Sequence, residues 1–245
     1  MNIIKKLFLP ILLLMINFIC VIFFSFFHYN DQLKEKGINY INSDAYKNNL
    51  SNYLDQKSIF IILITFIIIM PILIYFFKKE NKDVIKTKKI DFNRIIVDLF
   101  IFIMINNTIY LLFIKPVRVN FLINLITTCI IGPIIEELIY RGIIFKQLLK
   151  EYDYKKAILI TTLLFSVFHF NIVQMITSFI IGYYMCFIYY KYNNIILNIF
   201  IHFIYNLISL IIINLYFEYT IIIIPIILIF LIIYKKIIKN EYIYK

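Results

Sequence analysis

Long apolar segments alternate with short polar ones along most of the chain. An apolar run of about 20 residues is long enough to cross a bilayer as a helix. Runs that reach or approach this length lie at 7–27, 59–77, 95–114, 196–215 and 219–234. Each of these runs predicts a membrane-spanning helix.

A longer uncharged stretch follows in the second half of the chain. Residues 157–190 carry no formal charge over 34 positions. A single crossing takes only about 20 residues, so we expect two helices here, divided near Phe170–Ile172.

Charged residues interrupt one further apolar stretch. Residues 119–145 are mostly apolar but contain Glu136, Glu137 and Arg141. They predict one long, tilted helix that Gly132–Pro133 can kink. The predicted fold class is therefore all-α, a polytopic membrane helix bundle with about eight transmembrane helices.

Composition agrees with this pattern. Hydrophobic residues make up 62% of the 245 positions and charged residues only 16%, whereas a soluble domain is about 45–50% apolar. A soluble fold of this size could not hide so much apolar surface from water, so the bilayer must solvate most of it. The first apolar run, 7–27, is longer than the roughly 7–15 residues of a signal-peptide core and no small-residue cleavage site follows, so we expect a retained helix.

The distribution of charge predicts the orientation in the membrane. The net charge is +11, and cytoplasmic loops of membrane proteins collect Lys and Arg. Segment 78–94 holds seven basic and three acidic residues and is expected inside, while the more balanced segment 28–58 is expected outside. Basic residues at both ends then place both termini in the cytoplasm of a multi-pass cell-membrane protein. The positive charge needs no nucleic-acid partner, and the expected partner is the lipid bilayer.

The three cysteines do not indicate a disulfide or a zinc site. Cys20, Cys129 and Cys186 each lie inside an apolar run, and none belongs to a C-x-x-C motif. We interpret them as buried or lipid-facing residues.

Ionisable residues at membrane depth are rare and point toward chemistry. Each costs at least about 2.5–3.5 kcal/mol to insert, so such groups face the bundle interior. Glu137 and Arg141 are spaced i, i+4 with the acid first, the order that favours a helical ion pair. Glu136 points about 100° away around the helix and is left without this cation. We infer that Glu136 is available for another role.

Two histidines and an asparagine complete the set of candidate residues. Phe165 and His169 are expected to share one face of the fifth helix, and His202 and Asn206 one face of the seventh. A carboxylate and an imidazole can activate water against a carbonyl carbon, while a second His and an Asn donate to the oxyanion. The same Glu and His side chains could instead ligate a divalent metal, or the polar groups could simply bond helices together. Spacing alone leaves these alternatives open.

Three motifs in order resemble a known family. Glu136 to Arg141 matches E-E-x-x-x-R, Phe165 to His169 matches F-x-x-x-H, and His202 to Asn206 matches H-x-x-x-N. Together they resemble the CPBP family, the type II CAAX prenyl endopeptidases and bacteriocin-processing enzymes also called Abi proteins. The resemblance covers about 119–215, and all motif positions are intact.

The resemblance implies a division of the chain and a role for each residue. Residues 119–215 would form the catalytic core, 1–118 three helices without a motif, and 216–245 a last helix with a basic cytoplasmic tail. The implied roles fall into three groups. Glu136 with His169 would activate water, His202 with Asn206 would hold the oxyanion, and Glu137, Arg141 and Phe165 would support the site. Family members are described both as metalloproteases and as metal-independent glutamate enzymes. If a divalent metal such as zinc is bound, its ligands would be Glu136, His169 and His202.

The sequence therefore predicts an intramembrane endopeptidase that cleaves a membrane-associated or lipidated peptide or protein. One alternative is a non-catalytic bacteriocin-immunity or membrane scaffold protein of the same family. Another is a small transporter, since proton-coupled carriers also use buried Glu and His. The transporter is disfavoured because the chain lacks the internal repeat that such folds often contain.

Overall fold

The computed structural model describes residues 7–81, 89–113, 120–169 and 171–214. Within these ranges all regular secondary structure is helical, which confirms the all-α class. The helix predicted over 219–234 lies outside the described residues.

The described helices follow one another with short connections. In chain order they are α1 Phe8–Lys36, α2 Ile38–Ile41, α3 Asp44–Glu80, α4 Phe92–Phe113, α5 Phe121–Leu149, α6 Tyr154–Val167, α7 Ile172–Tyr192 and α8 Ile195–Asn214. Five of them, namely α1, α3, α5, α7 and α8, are long and apolar enough to cross a membrane. This agrees with a multi-pass membrane bundle. The 157–190 stretch forms two helices, as its length predicts, and the division lies between α6 and α7.

The chain forms two compact units, Met1–Lys79 and Glu80–Lys245. In the first unit, α1 and α3 extend far into the segment 28–58, which carries few apolar residues. Hydropathy reports which residues lipid can solvate and not which residues are helical, so polar helix formers continue both helices. Between them Gly37 ends α1 with φ 77°, a backbone conformation that glycine adopts without strain.

The second unit contains every motif residue. Helix α7 packs against α4, α6 and α8, and α5 packs against α6 and α8. Side chains such as Ile103, Met185 and Ile201 form the buried core between α4, α7 and α8. This packing brings the polar residues of α5, α6 and α8 toward one another.

Helix α5 is continuous, but it contains two π-helical stretches, Leu125–Ile131 and Leu138–Phe145. Pro133 has no N–H group, so it cannot take part in the regular hydrogen-bond ladder. Just before it, the Gly132 amide donates to the Thr127 carbonyl oxygen five residues back. The expected irregularity at Gly132–Pro133 is therefore a widened turn. Such π-helical turns are frequent at functional sites.

Candidate active site

Glu137 is the centre of a buried polar cluster. Its side chain is 0% exposed. Oε1 accepts from Arg141 Nη1 at 2.8 Å and contacts His202 Nδ1 at 2.8 Å, while Oε2 accepts from Asn198 Nδ2 at 3.2 Å. A buried carboxylate needs such partners, because leaving it unpaired in an apolar interior is strongly unfavourable. The i, i+4 contact between Glu137 and Arg141 that the sequence predicts is present.

Arg141 fixes this cluster to the neighbouring helices. Its second terminal nitrogen, Nη2, donates to the Gly182 carbonyl oxygen of α7 at 3.0 Å. Its guanidinium carbon lies 4.5 Å from the centre of the Phe165 ring of α6. Arginine is suited to this position because its planar group can stack on a ring and donate in several directions at once.

Gly182 is a supporting residue that the sequence analysis missed. A Cβ atom added to it would lie 2.8 Å from Phe165 Cδ1 and 3.4 Å from Arg141 Nη2. Only glycine lets α7 approach α6 and α5 this closely. A glycine in the middle of a predicted span, where lipid alone would favour a larger residue, was the available signal.

His202 lies between the two glutamates of α5. Its Nδ1 contacts Glu137 Oε1, and its Nε2 lies 3.8 Å from Glu136 Oε2. A carboxylate oxygen accepts hydrogen bonds, so the hydrogen of this contact is on Nδ1. The Nε2 atom is therefore the one that faces Glu136.

Glu136 is the more accessible of the two acids. Its side chain is 32% exposed, against 0% for Glu137. Its Oε2 lies 3.8 Å from His202 Nε2, and its charge also acts on Arg141 and Tyr140, whereas Glu137 has three partners at 2.8–3.2 Å. This agrees with the expectation that Glu136 points away from the Glu137–Arg141 pair.

His169 lies in a turn and not on a helix, which corrects the expectation that it shares a helical face with Phe165. Helix α6 ends at Val167, and the His169 amide donates to the Ser166 carbonyl oxygen. The ring returns to the helix end, with Nδ1 3.0 Å from the Phe165 carbonyl oxygen. The last carbonyls of a helix lack backbone partners, so this side chain satisfies one of them.

The same contact sets the tautomer of His169. A carbonyl oxygen only accepts, so Nδ1 carries the hydrogen and Nε2 of the neutral ring keeps its lone pair. The Phe165 ring lies edge-to-face with both imidazoles, at centroid distances of 5.0 Å to His169 and 6.2 Å to His202. Within the described part of the chain, His169 makes no hydrogen bond to either Glu136 or His202.

Asn206 connects α8 to the widened turn of α5. Its Nδ2 donates to the Thr128 carbonyl oxygen at 2.8 Å. In a π-helical register that carbonyl would pair with the amide of residue 133, and Pro133 has none. The amide of Asn206 has two hydrogens, so one remains available.

Asn198 is the second residue that the sequence analysis missed. It is 0% exposed, and it donates from Nδ2 to Glu137 Oε2 and, at 2.8 Å, to the Met185 carbonyl oxygen of α7. It precedes His202 by four residues, so it lies on the same face of α8 as His202 and Asn206. This repeated spacing was the available signal.

The residues named as metal ligands do not form a ligand group. Among the described residues, no three His, Cys, Asp or Glu side chains are arranged so that they could hold a metal ion. A metal ion could reach these histidines only through Nε2, because the Nδ1 atoms of His169 and His202 face other partners.

Comparison with known proteins supports the motif interpretation. Residues 118–208 match the family model described as Rce1-like, type II CAAX prenyl endopeptidase. The resemblance to the CPBP family is confirmed over this segment, which contains all seven motif residues named above. No curated protein and no solved structure matches the chain.

Proposed function

We propose that this protein is an intramembrane endopeptidase that hydrolyses a peptide bond in a membrane-associated or lipidated peptide or protein. The family match over 118–208 supports a CAAX-type intramembrane protease at a coarse level. The observation that carries the finer proposal is the difference between the two adjacent acids. Glu137 is buried against three donors, while Glu136 is partly exposed beside the Nε2 atom of His202.

Glu136 is the general base of the proposed reaction. A base must reach the water whose proton it removes. The Glu136 carboxylate is accessible, and we assign His169 to the same water, because its Nε2 lone pair can accept the other hydrogen. The water oxygen then attacks the carbonyl carbon of the substrate. The proton taken by Glu136 passes to the amine that leaves when the C–N bond breaks.

His202 and Asn206 stabilise the oxyanion in this reaction. His202 can donate to it only from Nε2, because Nδ1 already donates to Glu137. The donating form of His202 is therefore the imidazolium, which the Glu137 carboxylate can balance. Asn206 contributes the Nδ2 hydrogen that is not used by Thr128. Oriented donors of this kind are worth about 10²–10³-fold each in rate.

The site is proposed to be reached from the cytoplasmic side. Counting 1.5 Å per residue, Glu136 lies about 15 Å along α5 from Lys146, and His202 about 12 Å along α8 from Asn194. Both reference positions belong to segments that the positive-inside rule assigns to the cytoplasm. We propose accordingly that both termini are cytoplasmic.

Comparative peptidomics of membranes tests this function. Membranes containing the wild-type protein are compared with membranes containing Glu136→Gln at the same level. Peptides with new termini should appear only with the wild type. Glu35→Gln is the matched control, since Glu35 is an exposed acid of α1 whose side chain, in the described part of the chain, bonds Gln32 alone. Identical peptides from wild type and Glu136→Gln would contradict the proposal. If a bacteriocin-protection phenotype nevertheless persisted in Glu136→Gln, the non-catalytic alternative would be favoured.

A further inference from the structure

Asn198 is an unusual residue for its place in the bundle. It is a fully buried polar side chain on the apolar helix α8. It does not belong to any of the three motifs. Burying an amide without partners is unfavourable. Its contacts therefore indicate what it does.

Both hydrogens of the Asn198 amide have an acceptor. Nδ2 lies 3.2 Å from Glu137 Oε2 and 2.8 Å from the Met185 carbonyl oxygen. Its Oδ1 has no partner among the described residues. A reversed amide would direct Oδ1 at two acceptors, which is repulsive, so the observed orientation is chemically fixed.

The two oxygens of Glu137 have different partners as a result. Oε1 is shared by Arg141 and His202, and in the described part of the chain Oε2 accepts from Asn198. Without Asn198, Oε2 would lose this donor. The carboxylate would then turn to regain a donor, and turning would weaken the contacts of Oε1, the one with His202 Nδ1 among them.

We propose that Asn198 is a positioning residue for the reaction. Acting through Glu137, it keeps His202 in the form with hydrogen on Nδ1 and Nε2 directed toward Glu136. It touches neither substrate nor water. This role rests on the proposed function of the same site, but its effect on His202 exists without any substrate.

A merely structural role is the competing explanation. Asn198 also bonds the Met185 carbonyl, so it ties α8 to α7 whether or not Glu137 is affected. A tie between helices would influence unfolding and expression. It would not specifically alter the Nδ1 hydrogen bond of one histidine or separate kcat from KM.

Three histidines in the whole chain make a direct measurement practical. The full-length protein is labelled with nitrogen-15 histidine in lipid nanodiscs, and the His202 signals are assigned with single His→Gln variants. Wild type, Asn198→Ala and Asn198→Ser are compared. Asn214→Ala is the matched control, because Asn214 is on the same helix and, among the described residues, its side chain bonds the Leu210 carbonyl four positions back and no other group.

The expected result has two parts. In Asn198→Ala, the His202 Nδ1 signal loses the position of a single form hydrogen-bonded to Glu137, and kcat on a cleaved peptide falls about 10- to 100-fold, with KM within about twofold, the size expected for one unsatisfied buried group. Asn198→Ser keeps a hydroxyl donor and should restore much of both. If Asn198→Ala does not fold, the comparison of Asn198→Ser with wild type gives the same test at smaller amplitude.

An unchanged His202 signal together with an unchanged kcat would overturn the proposal. Reduced stability and reduced kcat, with the His202 Nδ1 signal unchanged, would also overturn it in favour of a structural tie between the helices. If the wild type cleaves nothing, the proposed function fails, and the dependence of the His202 signal on Asn198 still decides this inference separately.

Discussion

Glu136 and Glu137 are neighbours in sequence, but they lie in different environments. Glu137 is enclosed by donors from α5 and α8, and Glu136 is partly open beside His202. The first environment suits a carboxylate that orients other groups. The second suits a carboxylate that exchanges protons. The two acids should therefore respond differently to the same substitution.

Glu136→Gln should abolish cleavage and leave folding intact. The amide keeps the shape of the side chain but cannot take a proton, and a positioned base contributes about 10²–10⁴-fold in rate. Initial rates and thermal unfolding of the purified protein measure the two effects. A variant that keeps wild-type rates would remove Glu136 from the reaction.

Glu137→Ala should instead lower stability. It removes the partner of Arg141 and leaves a buried guanidinium unpaired, which costs about 3–5 kcal/mol. The midpoint of unfolding in detergent should fall sharply. A loss of activity in this variant would therefore reflect unfolding. If Glu137→Ala unfolded at the same midpoint as the wild type, this would contradict the claim that the buried Glu137–Arg141 pair stabilises the fold.

Gly182→Ala should disturb both histidines through Phe165. The added methyl group would lie 2.8 Å from the Phe165 ring, which contacts His169 and His202. Overpacking of this kind costs about 1–3 kcal/mol. We expect lower stability together with lower kcat. Wild-type stability and kcat in Gly182→Ala would contradict the need for glycine at this position.

At the scale of elements, local spacing was sufficient for some contacts and not for others. The Glu137–Arg141 pair follows from helical periodicity alone. The contact between Glu137 and His202 joins residues 65 positions apart, and it depends on how α5 and α8 pack. No spacing rule contains that packing. The spacing of Asn198 places it on the His202 face of α8, but it does not predict the contact with Glu137.

Helix ends were the other source of error. His169 was expected on a helix, but α6 stops at Val167 in a stretch with neither Gly nor Pro to mark an end. The polar residues after 27 and before 59 continue α1 and α3. A part of a helix that lies outside the lipid does not need apolar side chains. Lipid-based hydropathy predicted the membrane-crossing parts and not these extensions.

The widened turn in α5 offers a test at this scale. Pro133→Ala supplies the missing amide, so the turn can relax toward regular α-helix and change the direction of Glu136 three residues later. Proline costs about 3 kcal/mol relative to alanine inside a helix, so stability should not fall. Cleavage should decrease. Pro71→Ala, within α3, is the control and should leave cleavage unchanged. Full activity in Pro133→Ala would show that the turn is not needed.

At the scale of the molecule, the proposal depends on sidedness. In a cysteine-free background, a cysteine at Lys155 should react with a membrane-impermeant maleimide only after cells are opened. A cysteine at Lys47 should react in intact cells. Both positions are exposed in the structure, so access depends on the membrane alone. Labelling of the Lys155 position in intact cells would reverse the proposed orientation.

The central claim is that Glu136 activates water to cleave a peptide bond. The most direct measurement uses the purified protein in liposomes, with a peptide identified by peptidomics, in water enriched in oxygen-18. The wild type should release a product whose new carboxyl group carries oxygen-18, and Glu136→Gln should release none. Equal cleavage by both proteins, or a product without the label, would contradict the account.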